Sequence, residues 1–126
     1  DKIKFFKLFS IYKKNMNFYK ELEIIAPIYF NNNFEIYRDD SLNDNFDQIL
    51  NDFFPLIEQL NEWETNNLES LIKNFINEKK IKFPTFGKPA RLLLINSKNG
   101  PSISDILFIL GKKDSIKRIN NYIDKK

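Results

Sequence analysis

Apolar side chains recur at helical spacing along most of this chain. The clearest run is Leu68, Leu71, Ile72, Phe75 and Ile76, the i, i+3, i+4, i+7, i+8 pattern of one buried stripe. Thr65 stands just ahead of it as the expected N-cap. Phe46, Ile49, Leu50, Phe53, Phe54, Ile57 and Leu60 predict a helix over 45–61, kinked or split at Pro55. A further helix is expected over 18–29, with Leu22, Ile25 and Ala26 inward and Pro27 bending or shortening it. In residues 1–14, Phe5, Phe6, Leu8, Phe9, Ile11 and Tyr12 cover more than one helical face. That pattern fits a helix packed on two sides, or one whose neighbour has been trimmed away. Residues 31–44 read as a polar loop anchored by Phe34, Ile36 and Tyr37.

The densest local signal lies between residues 88 and 118. Residues 79–88 read as a connector, and Pro89 opens a helix that continues from Ala90 to Ile95. Asn96 to Pro101 then supply Asn, Ser, Gly and Pro, each a turn former for its own physical reason. Ser102, with Asp105 three residues on, resembles a capping box. Ile103, Ile106, Leu107 and Leu110 continue at helical spacing, and Gly111 is placed to end the helix with positive φ. Asp114 then caps a last helix carrying Ile116, Ile119 and Ile123. No stretch alternates as a strand does. The expected fold is all-α: an array of about six to eight helices in two packed subdomains, residues 1–62 and 63–126.

Composition narrows the chemistry. The 126 residues contain no Cys and no His, which excludes disulfides, thiolate nucleophiles, imidazole bases and the usual zinc sites. A Ser or Thr nucleophile would lack its common base. There is no Gly-rich phosphate loop and no apolar run long enough to span a bilayer. The absence of an initiating Met and of a leader fits a piece of a larger cytoplasmic protein. Net charge is only +3, so its distribution is more telling than its size. Acids crowd the middle, from Asp39 to Glu69. Bases crowd the ends, with Lys2, Lys4, Lys7, Lys13, Lys14 and Lys20 at one and Lys98, Lys112, Lys113, Lys117, Arg118, Lys125 and Lys126 at the other. If the fold joins the ends, one face becomes basic.

The string Arg91-Leu-Leu-Leu-Ile-Asn96, then Gly100-Pro101-Ser-Ile103, then Ile106-Leu107 to Leu110-Gly111-Lys112, closing on Lys117-Arg118-Ile119, resembles the C-terminal anticodon-binding region of bacterial glutamyl-tRNA synthetases. Trp63-Glu64-Thr65 is similar to that family's start of the preceding helix, which extends the resemblance over residues 63–123. From 1 to 62 the likeness is confined to helix order and length. The resemblance implies an anticodon-binding helical domain of the class I synthetase type. It implies a parent enzyme that attaches glutamate to tRNA with ATP and magnesium in a catalytic domain outside this sequence. The chain itself would bind a glutamate-accepting tRNA, hold no cofactor or metal, catalyse nothing, touch no membrane and be monomeric. A helical protein-interaction or scaffold module without an RNA partner is the other reading of the same composition.

RNA loops are read by splaying bases out, stacking them and bonding their edges. The turn at 96–103 offers groups for this. Arg91 supplies a forked donor for a base or phosphate, Asn99 and Gly100 expose backbone, and Pro101 and Ile103 offer apolar surface. The resemblance places Arg91, Gly100, Pro101 and Ile103 at positions that touch the anticodon. Three alternatives stay open: Arg91 pairing with a nearby acid, Gly100-Pro101 as only a turn between two helices, and Ile103 as a core residue. Asn96 stands where the family has Gly, and Asn tolerates the left-handed conformation. The family's other anticodon contact, an Arg or Gln, falls by gapless count on Lys14 or Asn15, and neither residue type stands there.

Overall fold

The computed structural model describes residues 2–13, 18–32 and 35–124, with residues 18–22 described by their backbone alone. Six helices follow one another: α1 Lys2–Tyr12, α2 Phe18–Phe30, α3 Asp44–Glu58, α4 Thr65–Lys79, α5 Phe83–Ile95 and α6 Ile103–Asp124. No strand occurs among the described residues. The expected inward turn of Leu22 and the anchor role of Phe34 lie outside the described side chains. Helix α6 is the hub. It packs against α1, α3, α4 and α5, while α1 also meets α2, and α3 meets α4 and α5. One hydrophobic core draws buried residues from all six helices, so the two expected halves share it.

The centre of that core is aromatic. The Phe53 ring lies 4.8 Å from Phe86 and 5.2 Å from Phe75, and Phe46 lies 6.2 Å from Tyr122 and 6.4 Å from Phe86. The rings meet edge-on or tilted, which sets the positive edge of one against the negative face of the next. The stripes read from the sequence supply these residues: Phe46, Ile49, Leu50, Phe53 and Ile57 from α3, and Leu68, Ile72 and Phe75 from α4.

Three expectations about helix ends are corrected. First, α5 begins at Phe83, not at Pro89. Lys80 takes the left-handed conformation (φ 55°) and ends α4, so only residues 80–82 are connector. Pro84 fills the first-turn place assigned to Pro89, and Pro89 lies inside the helix. Second, α3 runs unsplit through Pro55 and ends at Glu58, three residues short of the expected 61, while α2 carries Pro27 inside as expected and ends at Phe30. A helix proline removes the bond to the carbonyl four residues back. Those carbonyls belong to Glu23 for Pro27, Asn51 for Pro55 and Thr85 for Pro89. All three residues are exposed, so water can replace the missing donor. Third, the N-cap of α4 is Glu64 rather than Thr65, and no side chain caps it.

Gly111 does adopt positive φ (81°, ψ 163°) and breaks α6 into two segments. Asp114, expected to cap the second segment, instead spends its carboxylate on Lys4 and Asn32. This belongs to a buried polar knot centred on Arg118, which is 2 % exposed. Its Nη1 donates to the Leu94 carbonyl at 2.6 Å. Its Nη2 faces the carbonyls of Ile28, Tyr29 and Asn31 at 2.7, 3.1 and 3.2 Å. Its Nε donates to Asn32 Oδ1 at 3.1 Å. Leu94 lies in the last turn of α5, and Ile28 and Tyr29 in the last turn of α2, where helix carbonyls lack intrahelical donors. One guanidinium therefore caps two helix C-termini at once. Burial draws its pKa down to about 10 against the pull of Asp114 and Tyr29, which leaves it cationic at neutral pH.

Lys4 joins the same knot, bonding the Tyr29 carbonyl at 3.3 Å as well as Asp114. Burial raises the Asp114 carboxyl, but the Lys4 bond and charge, with Asn32, outweigh it and hold the pKa below the ordinary value. Some of the bases expected on a common face are turned away from it. The fold does bring α1 against α6. However, Lys4 and Arg118 turn inward, and Lys112 Nζ donates to the Leu60 carbonyl at 2.8 Å.

Candidate functional site

The turn between α5 and α6 is built from local chemistry. Asn96 ends α5 in the left-handed conformation (φ 58°, ψ 33°), as its residue type allows. Ser97 Oγ donates to the Asn99 carbonyl at 3.0 Å and accepts the Asn99 amide at 3.2 Å. Gly100 has φ 148°, and a Cβ there would lie 3.3 Å from the Ile95 side chain. Ser102 Oγ accepts the Asp105 amide at 3.2 Å, the N-cap bond expected for α6.

A second segment straps this turn down. The Tyr37 amide donates to Asn96 Oδ1 at 2.6 Å, and Lys98 Nζ pairs with Asp39 Oδ2 at 2.5 Å. The Lys98 hydrogen bond, helped by the Ser41 hydroxyl and amide, holds the Asp39 carboxyl at a pKa of about 2. The loop before α3 thus fixes the outer side of the turn and leaves the Tyr37 ring 71 % exposed.

Arg91 closes the inner side. Its Nε donates to the Pro101 carbonyl at 2.9 Å, and its guanidinium carbon lies 5.8 Å from the centre of the Phe83 ring. It is half-buried and bonds no carboxylate among the described residues, so its planar fork is held in place with its terminal nitrogens available. Pro101 is half-buried; Asn99 and Gly100 are exposed. Ile103 is 1 % exposed and belongs to the core, so the side chain expected to meet a base is turned inward. Lys14 and Asn15 lie outside the described residues.

The apolar surface beside the turn comes from Phe83 instead, a residue the sequence reading passed over. It lines an open groove of about 460 Å³ with residues of α4 and the start of α6, among them Lys73, Asn77 and Ile103. The signal that finds it is the i, i+4, i+8 series Phe83, Gly87, Arg91. That series becomes visible only once the helix is known to start at 83. Among the described residues, no cluster of acidic side chains forms a metal site, and no helix is long and apolar enough to cross a membrane.

The chain has relatives among known proteins. Over 93 % of its length the chain is 34 % identical to "Glutamate--tRNA ligase 2" of Helicobacter acinonychis, covering 26 % of that protein. It is 31 % identical to "Glutamate--tRNA ligase 1" of Bartonella bacilliformis over 66 % of the chain and 17 % of the relative. With "Glutamate--tRNA ligase" of Mycoplasma mycoides it shares 26 % identity over 90 % of the chain and 24 % of the relative. The chain thus spans about a quarter or less of these relatives. The family model described as "Anticodon binding domain" matches residues 1–123. With nearly the whole helical array matched, including the strapped turn that holds out Arg91, the chain belongs to the anticodon binding domain family.

Proposed function

We propose that this domain grips the anticodon loop of a glutamate-accepting tRNA for a larger glutamate–tRNA ligase. The carrying observation is the family match over residues 1–123, joined to a rigid turn that presents a guanidinium and exposed backbone. Arg91 meets a base edge or phosphate with its terminal nitrogens, and Asn99 and Gly100 let the loop approach closely. Contacts of this kind select which tRNA reaches a remote active site. The domain contributes positioning and specificity, while ATP, magnesium and the joining of glutamate to tRNA belong to the rest of the ligase. The domain works as a monomer in the cytoplasm.

Fluorescence anisotropy with a labelled glutamate-tRNA anticodon stem-loop tests this at two salt concentrations. The expected result is a log affinity that falls with log salt, by roughly 0.7 per phosphate neutralised. Scrambling the anticodon should weaken binding, and Arg91→Ala should weaken it with the helices intact by circular dichroism. Equal affinity for scrambled loops defeats the proposal and favours a protein-interaction role.

A further inference from the structure

We infer that the groove beside the turn seats one unpaired base of the RNA loop, with Phe83 as its stacking face. The inference rests on the RNA-binding reading above and adds an aromatic contact to it. Phe83 is 38 % exposed, one of several aromatic side chains left outside the core that buries Phe46, Phe53, Phe75 and Phe86. Its ring has neighbours on its own helix. It lies back along α5 over Gly87, where an added Cβ would come within 2.5 Å of Phe83 Cε1. One turn further on sits the Arg91 guanidinium, itself tied to Pro101.

Across the groove, Glu69, Lys73 and Asn77 recur every fourth residue and line the same hollow. Their side chains carry no hydrogen bond or ion pair among the described residues. Together they present an acceptor, a cation and an amide that both donates and accepts, opposite a flat ring. An unpaired base has the complementary make-up: a π face, a hydrogen-bonding edge and an adjoining phosphate. An apolar peptide helix seated there would cover a carboxylate, an ammonium and an amide without partners, which is costly. The groove also shares Ile103 with the turn, so one loop can engage Arg91 and Phe83 together.

The test is a cycle between protein and RNA. The whole domain is titrated with the anticodon stem-loop and with loops carrying a single abasic position. Phe83→Ala and Phe83→Leu should weaken binding roughly 5- to 150-fold. Phe83→Trp should retain it, and the salt slope should stay unchanged because no phosphate contact is lost. Gly87→Ala, which pushes the ring aside, should weaken binding as well. One abasic position should cost affinity in the wild type and nothing further in Phe83→Ala. If Phe83→Ala and Phe83→Leu bind as the wild type does while Arg91→Ala is weakened, the groove is empty and only this inference falls. Additive losses from Phe83→Ala and every abasic loop likewise overturn it. If the wild-type domain ignores the anticodon, both proposals fall.

Discussion

Asn96 Oδ1 accepts the backbone amide of Tyr37 at 2.6 Å, across 59 residues of sequence. The same residue holds the left-handed conformation that ends α5. These two duties separate by mutation. Asn96→Gly keeps the backbone easy and loses the strap, so it should cost about 0.5–1.5 kcal/mol. Asn96→Ala loses both and should cost about 2–3 kcal/mol. Urea unfolding measures the difference. Hydrogen exchange at Tyr37 should accelerate in both variants, and an unchanged Tyr37 amide would refute the strap.

Arg118 ties the ends of two helices together through one buried guanidinium. Replacing it with Met fills similar space but strips donors from carbonyls of Leu94, Ile28, Tyr29 and Asn31. Loss of one partner from a buried charged network typically costs about 3–5 kcal/mol. A domain this size has roughly 5–15 kcal/mol in total. Arg118→Met should therefore unfold at much lower urea, while Arg118→Lys, with one compact donor group, recovers only part of the loss. Equal midpoints for Met and wild type would show that the two helix ends need no shared cap.

Acid sensitivity follows from Asp114. Its folded pKa lies below the ordinary 3.8, with Lys4 and Asn32 overcoming burial. The Lys4–Asp114 contribution is therefore complete above about pH 4 and drains away as pH falls through the folded value. Asp114→Asn removes that titration. Its stability should be lower than wild type at neutral pH, and the two curves should converge toward pH 2. Parallel curves from pH 6 to 2 would rule out the coupling.

Sequence and structure diverge most where burial, not pattern, decides. The α4 stripe from Leu68 to Ile76 is readable because one face is wet and the other dry. The turn at 96–102 is readable because Asn, Ser, Gly and Pro carry their own local geometry. Lys4 and Arg118 looked like solvent cations because charge alone says nothing about which carbonyls surround it. Phe83 was missed for a related reason. Two prolines, Pro84 and Pro89, compete for the first-turn place of α5, and choosing the second cut Phe83 out of the helix. The strap from Tyr37 and Asp39 to Asn96 and Lys98 joins distant segments, which periodicity cannot register.

Gly111 allows a purely backbone experiment. Its φ of 81° with ψ of 163° lies in a region almost restricted to glycine. A Cβ built there meets no atom within 4 Å, so a side chain has room. Gly111→Ala should consequently cost about 1–3 kcal/mol from dihedral strain alone. Asn rescues a left-handed position such as Asn96, but the extended ψ here is a different conformation. Gly111→Asn should then be as destabilised as Gly111→Ala, whereas Asn96→Gly is mild. Equal urea midpoints for Gly111→Asn and wild type would mean that α6 can straighten through the break, with Asp114 drawn away from Lys4.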